Sequence, residues 1–128
     1  MTVEECAKVF VVEFPEYSDE LDEHIRNYGK LLGHVFFGDA INEHLVSLLD
    51  TEKDMERLKK IFDFLDYMYS NGDLASRNVI VVTVLEYFVG NKKRLRTAYK
   101  YMSKKLIQAS KELEEYLDEM EENIHLGK

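Results

Sequence analysis

The side chains of this 128-residue sequence that could do chemistry are four histidines, one cysteine and 25 carboxylates. His24, His34 and His44 stand ten residues apart, with His125 on its own, a spacing that invites a metal-site reading. On one straight helix ten residues turn through about 280°, so the three rings would point apart. A zinc-binding helix places its histidines at i and i+4 instead. Asp39 and Glu43 precede His44, but acid–base work needs groups that converge in a cleft, which this spacing does not bring about. Glycine-rich phosphate loops, GxSxG elbows and cysteine–histidine nucleophile patterns are missing from the sequence. Cys6 is a lone cysteine, which excludes an internal disulfide and a multi-cysteine zinc site. It falls between Val3, Ala7 and Phe10 on an apolar stripe, where cysteine behaves as a small hydrophobe. The expectation is a chain with no catalytic residue, no metal and no cofactor, and therefore not an enzyme.

The carboxylates are more informative through where they lie. Net charge is −8, yet residues 87–111 hold eight bases and no acid, while residues 1–86 hold 18 acids and eight bases. The densest run is Glu13 to Glu23, with Glu16, Asp19, Glu20, Asp22 and Glu23 and no base among them. The plain reading is a solvated helix face, with the basic segment neutralising acidic neighbours. The sharper reading is a face that steers a basic protein partner, since a field of one sign speeds association. Asp39 and Glu43 are neighbours expected on that contact. Nucleic acid is disfavoured, because the total charge repels phosphate and the bases are flanked by acids. Asn78 and Glu86 frame an apolar run and are expected as buried polar anchors, which would require hydrogen-bond partners. Tyr67, Tyr69, Tyr87, Tyr99 and Tyr101 suit the rim of a helical core or an interface.

Helices must position these groups. Length and 45% hydrophobic content fit one domain, 1–128, that folds unaided. Thr2 and Glu5 have capping-box spacing before an apolar stripe over 3–14. Pro15 stops that helix. Ser18 suits the cap of a second helix, with Leu21, Ile25 and Tyr28 on its buried side and Gly29 at its exit. A third helix over 31–49 carries Gly33 and Gly38, with a bend or break expected near Gly38-Asp39. Thr51 and Asp54 open a fourth, which Asn71-Gly72-Asp73 ends. Val79 to Val84 is six β-branched residues in a row, a strand by propensity. The apolar stretch over 74–89 is long for a strand, and no second segment offers it a pairing edge. It is therefore expected as a central helix. Asn91 caps a sixth helix over 92–102, and Ser103 a seventh whose basic start and acidic end oppose the helix dipole. The expected fold is all-α, about seven helices in a compact irregular helical-hairpin stack, α-solenoid-like, or a bundle. No segment reaches the roughly 18 apolar residues of a membrane span, and the acidic start is unlike a secretion signal, so a cytoplasmic protein off the membrane is expected.

Leu32-Gly33-His34-Val35-Phe36-Phe37-Gly38-Asp39 and Arg77-Asn78-Val79-Ile80-Val81-Val82-Thr83-Val84-Leu85-Glu86 resemble two signature stretches of small, mostly uncharacterised bacterial helical proteins. Some of those are encoded beside polymorphic or contact-dependent toxins. The resemblance spans about residues 3–118 and implies a helical fold whose central helix carries an Asn and a Glu, corresponding to Asn78 and Glu86. It allows an immunity-protein role. The functional expectation is an antitoxin that neutralises a basic bacterial toxin, a nuclease above all, by occluding its active site through the acidic face. The alternative is a helical scaffold or regulatory module unrelated to toxins.

Overall fold

The computed structural model describes residues 1–126, with side chains through Ile124; the ring of His125 lies outside the described residues. The first helix, α1, is Val3–Glu13. Thr2 Oγ1 accepts the Glu5 N–H at 3.1 Å, and the Thr2 N–H donates to Glu5 Oε1 at 3.1 Å, which satisfies two donors that a helix start leaves unpaired. Pro15–Tyr17 forms one 3-10 turn and leads straight into α2, Ser18–Tyr28. Ser18 therefore already has helical dihedrals (φ −60°, ψ −44°) and does not cap α2, because a capping side chain needs an extended backbone. Ile25 and Tyr28 also depart from expectation, at 41% and 53% exposed. α2 packs chiefly on α1 and the preceding turn, so its apolar side is not covered to its end. Leu21 faces the core as expected, and His24 joins it in place of Ile25 and Tyr28. Gly29 leaves α2 with φ 74°, and its N–H bonds the Ile25 carbonyl, a conformation that glycine adopts without a Cβ penalty.

α3 spans residues 33–51. It is α-helical over Gly33–Phe37, widens to π geometry over Gly38–Asn42, and returns to α over Glu43–Thr51. The expected bend at Gly38 is thus a widening and not a break. α4 is Met55–Asn71, capped by Asp54, whose Oδ1 accepts the Arg57 N–H at 3.0 Å. α5 covers residues 74–89, with α geometry over Leu74–Asn78, π over Val79–Leu85 and α over Glu86–Val89. The β-branched run is helical, and no strand occurs among the described residues. β-branched side chains crowd the preceding turn of an α-helix, and this run is where the helix is wide. α6 is Lys92–Tyr99, capped by Asn91. It stops short of Met102 because Lys100 and Tyr101 donate to Thr97 and Ala98, three residues back, the tightened turn that satisfies terminal carbonyls. α7 is Lys104–Leu126.

Over the described residues the fold is all-α, with seven helices gathered around α5, which packs against α1, α3, α4, α6 and α7. A solenoid repeat touches only its neighbours in sequence; contacts such as α1 on α5 and α4 on α7 make this a bundle. Phe10 lies at an aromatic junction, with the rings of Phe14, Tyr17, Phe36, Phe37 and Phe64 centred 5.0–6.0 Å away. This junction holds α1, α3 and α4 together. The unfavourable start of α7 is answered from α4: Asp66 accepts the Ser103 N–H at 3.2 Å and the Ser103 hydroxyl, while Ser103 Oγ accepts the Leu106 N–H at 3.2 Å. A carboxylate at that helix start supplies the negative charge that the local sequence lacks. Among the described residues no helix is long and apolar enough to cross a membrane.

Candidate functional site

The π segments of α3 and α5 lie against each other. Asn42 Nδ2 donates to the Thr83 carbonyl at 3.1 Å, and the Thr83 hydroxyl shares a 2.6 Å hydrogen bond with His34 Nδ1. A π segment displaces its carbonyls from the regular i−4 pattern, and Asn42 takes up one of them. That bond fixes the amide, because turning it over would set oxygen against oxygen. Asn42 is 9% exposed, and its Oδ1 has no hydrogen-bond partner. Such an idle buried acceptor costs about 1–3 kcal/mol. A Cβ at Gly38 would stand 3.2 Å from Thr83 Cγ2, so a larger residue there needs Thr83 to give by a few tenths of an ångström. The crossing opens into a cleft of 450 Å³ lined by His34, Gly38, Asp39, Asn42, Glu43 and Tyr87.

Asp39 also lines a second, smaller cleft with Glu20, Glu23, His24, Tyr28 and Phe36. Four of the acids expected to face a partner, Glu20, Glu23, Asp39 and Glu43, thus ring two adjoining hollows. Asp19 and Asp22 are exposed on α2 beside them. None of these six is in an ion pair among the described residues. Partial burial first, then the carboxylates of Asp39 and Glu23, push the Glu20 carboxyl above its ordinary range. Like charge is crowded here, and His24 relieves it only in small part.

Other expected residues land elsewhere. Glu16 is exposed but engaged: Arg57 Nη2 sits 2.5 Å from its Oε1. Its own backbone N–H, and then Arg57, hold the Glu16 carboxyl below the usual range. Asn78 and Glu86 are not buried anchors; both are exposed. The core side of α5 is Ser76, Val79, Ile80, Val84, Leu85, Phe88 and Val89, which turns Asn78 and Glu86 outward, where carboxylate and amide stay hydrated. The histidines serve three separate places. His24 Nε2 accepts the Leu32 N–H at 3.0 Å, His34 meets Thr83, and His44 Nε2 accepts from Arg57 Nε at 3.4 Å. Burial, then Arg57, lowers the His44 pKa. Among the described residues no three His, Cys, Asp or Glu side chains are grouped to hold a metal ion. The basic segment does neutralise acids in part: Arg94 grips Asp50 through two bonds of 2.8 and 2.9 Å, and Lys100 reaches Glu52 at 3.3 Å. Cys6 is buried, 3.8 Å from Ser76 Oγ, and its burial raises its pKa. Asn42 and Thr83 were not singled out from the sequence; Thr83 is a polar residue inside an apolar run, whereas Asn42 stands among other polar residues and carries no such signal.

A family model matches residues 7–118. The chain belongs to that family, a domain of unknown function (DUF7674). The match takes in both π segments and every acid on the two clefts, so the DUF7674 domain contains the whole candidate site. No curated protein and no solved structure matches the chain.

Proposed function

We propose that this DUF7674 domain is a non-catalytic binding protein whose acidic face, α2 together with Asp39 and Glu43, docks a basic protein. The observation that carries this reading is the crowding of Glu20, Glu23 and Asp39 around one cleft with no ion pair among the described residues. Crowded like charge is a stability loss that a cationic surface recovers on docking. In its most concrete form the domain is an immunity protein that covers the active site of a basic bacterial toxin, a nuclease above all. Nucleases hold anionic substrates in cationic clefts, and a carboxylate-bearing inhibitor complements them. That finer statement rests on the resemblance of the two signature stretches, which allows an immunity role. Affinity capture from the source cell, followed by a growth assay in which the domain is co-expressed with the captured protein, tests it. A basic protein whose toxicity the domain abolishes is expected. Capture that persists unchanged when Asp19, Glu20 and Glu23 are all reversed to Lys sinks the docking face.

A second reading, a helical scaffold or regulatory module, is favoured by one surface. Tyr116, Met120 and Ile124 are 58%, 43% and 60% exposed and continue along α7 the stripe that packs Leu106, Ala109 and Leu113 into the core. If Tyr116→Lys with Met120→Lys abolishes capture while the α2 reversals do not, the scaffold reading replaces the first.

A further inference from the structure

α7 outruns the core that holds it. Through Leu113 its inward face is buried on α4 and α5. The same face continues at Tyr116, Met120 and Ile124, each about one turn beyond the last and all exposed. Where α7 leaves the core, an open groove of 320 Å³ separates it from α5, walled by Val81, Val82, Ala109, Leu113 and Tyr116. Groove and stripe make one apolar track from Ala109 to Ile124, about 22 Å along the helix. Carboxylates edge it. Glu86 and Glu112 line the groove and no Lys or Arg does, while Glu119 and Glu121 flank Met120. From Glu112 to Ile124 α7 carries seven acids and no base. Neither these acids nor Glu86 enter an ion pair among the described residues. Acids at this end oppose the helix dipole, and Asp66 answers only the basic start of α7.

Charge selects the occupant. A second copy of α7 laid on the track brings seven more acids against these, and an anionic membrane surface is repelled in the same way. A helix whose apolar stripe is flanked by Lys or Arg fills the groove and pairs its rim at once, which is the helix-in-groove mode of recognition. Long basic side chains also lay their stems on apolar surface while their cations reach outward.

We propose that α5 and the end of α7 dock a basic amphipathic helix of a protein partner. Its apolar side chains pack on Val82, Tyr116, Met120 and Ile124, and its cations meet Glu86, Glu112, Glu119 and Glu121. The groove shares no residue with the two acidic clefts beside α2. This deepens the second reading above, in which α7 is the working surface, and rests on it.

The test is the fluorescence anisotropy of a labelled peptide titrated with the full chain. The peptide is a blocked leucine–lysine helix of about 15 residues, with leucines at helical spacing to match the track. Saturable binding is expected. The same composition rearranged to alternate leucine with lysine loses the helical stripe and should bind at least about tenfold more weakly. The matching leucine–glutamate helix should not bind. Met120→Lys and Ile124→Lys, each at an exposed position, should weaken the leucine–lysine helix by about tenfold with circular dichroism unchanged. Reversal of Asp19, Glu20 and Glu23 to Lys should leave its affinity at the wild-type value. No saturable binding, equal binding of the rearranged peptide, or unchanged affinity in both α7 variants overturns the proposal. A dimer in sedimentation that Met120→Lys dissociates would put a second copy on the track and overturn it equally. The proposal and the reading beneath it fail separately. A silent peptide, with capture still lost in the Tyr116→Lys, Met120→Lys chain, removes the basic helix and keeps the surface. Capture that ignores those two substitutions removes the surface itself.

Discussion

Glu20 stands among like charges, and its titration can expose what that arrangement costs the fold. Its carboxyl is raised above the ordinary value of 4.5, by burial first and then by Asp39 and Glu23. The folded protein therefore binds this proton more readily than the unfolded chain. The contribution is fully present below pH 4.5 and is lost as pH rises through the folded pKa. Glu20→Gln should accordingly raise Tm at neutral pH by roughly 1–2 °C and make no difference in acid, a shift of sub-kcal/mol size. Thermal unfolding by circular dichroism at both pH values checks it; a lowered Tm at neutral pH would mean that the charge is satisfied within the chain. Sites kept at the expense of stability are expected where a surface is used. At this scale the sequence exposed the acids but not their fates. Glu16 looked equivalent to Glu20, yet Arg57, 41 positions away, claims it. Asn42 and Thr83 acquire meaning from a crossing of two helices that no local pattern encodes. Asn78 and Glu86 were expected inside because they frame the apolar run; rotation of α5 places them outside.

Elements were the legible scale. Thr2, Asp54, Asn91 and Ser103 each accept from a backbone N–H three residues on, and such caps can be read in sequence. The π geometry could not be read, since a run of β-branched residues shows no width, only apolarity. The start of α7 was readable as a problem: bases stand where the dipole wants acids. Its answer, Asp66, comes from α4 and is visible only in the fold. Asp66→Ala should cost about 1–2 kcal/mol in chemical denaturation, as the loss of a helix-start acceptor does. Restoring negative charge locally, with Lys105→Glu, should recover a few tenths of a kcal/mol of that loss. A destabilisation that Ser103→Ala reproduces and that does not add to Asp66→Ala would confirm the shared bond.

For the whole molecule, one core and one charged face divide the work. Phe10 ties α1 to α3 and α4 through the rings of Phe36, Phe37 and Phe64, so Phe10→Ala should lower stability by about 3–5 kcal/mol, read as a fall in denaturant midpoint at unchanged slope. That loss should leave the docking of a partner intact under conditions where the variant is folded, because Phe10 itself lines neither acidic cleft. Binding is assigned to that face, and its signature is kinetic. The most direct measurement is the association rate of the captured partner against ionic strength, for the wild type and for the chain with Asp19, Glu20 and Glu23 all reversed to Lys. Steering by carboxylates predicts a wild-type rate that falls steeply with salt, and a reversed chain that is slower and nearly flat. Superimposable curves for the two chains would contradict the account.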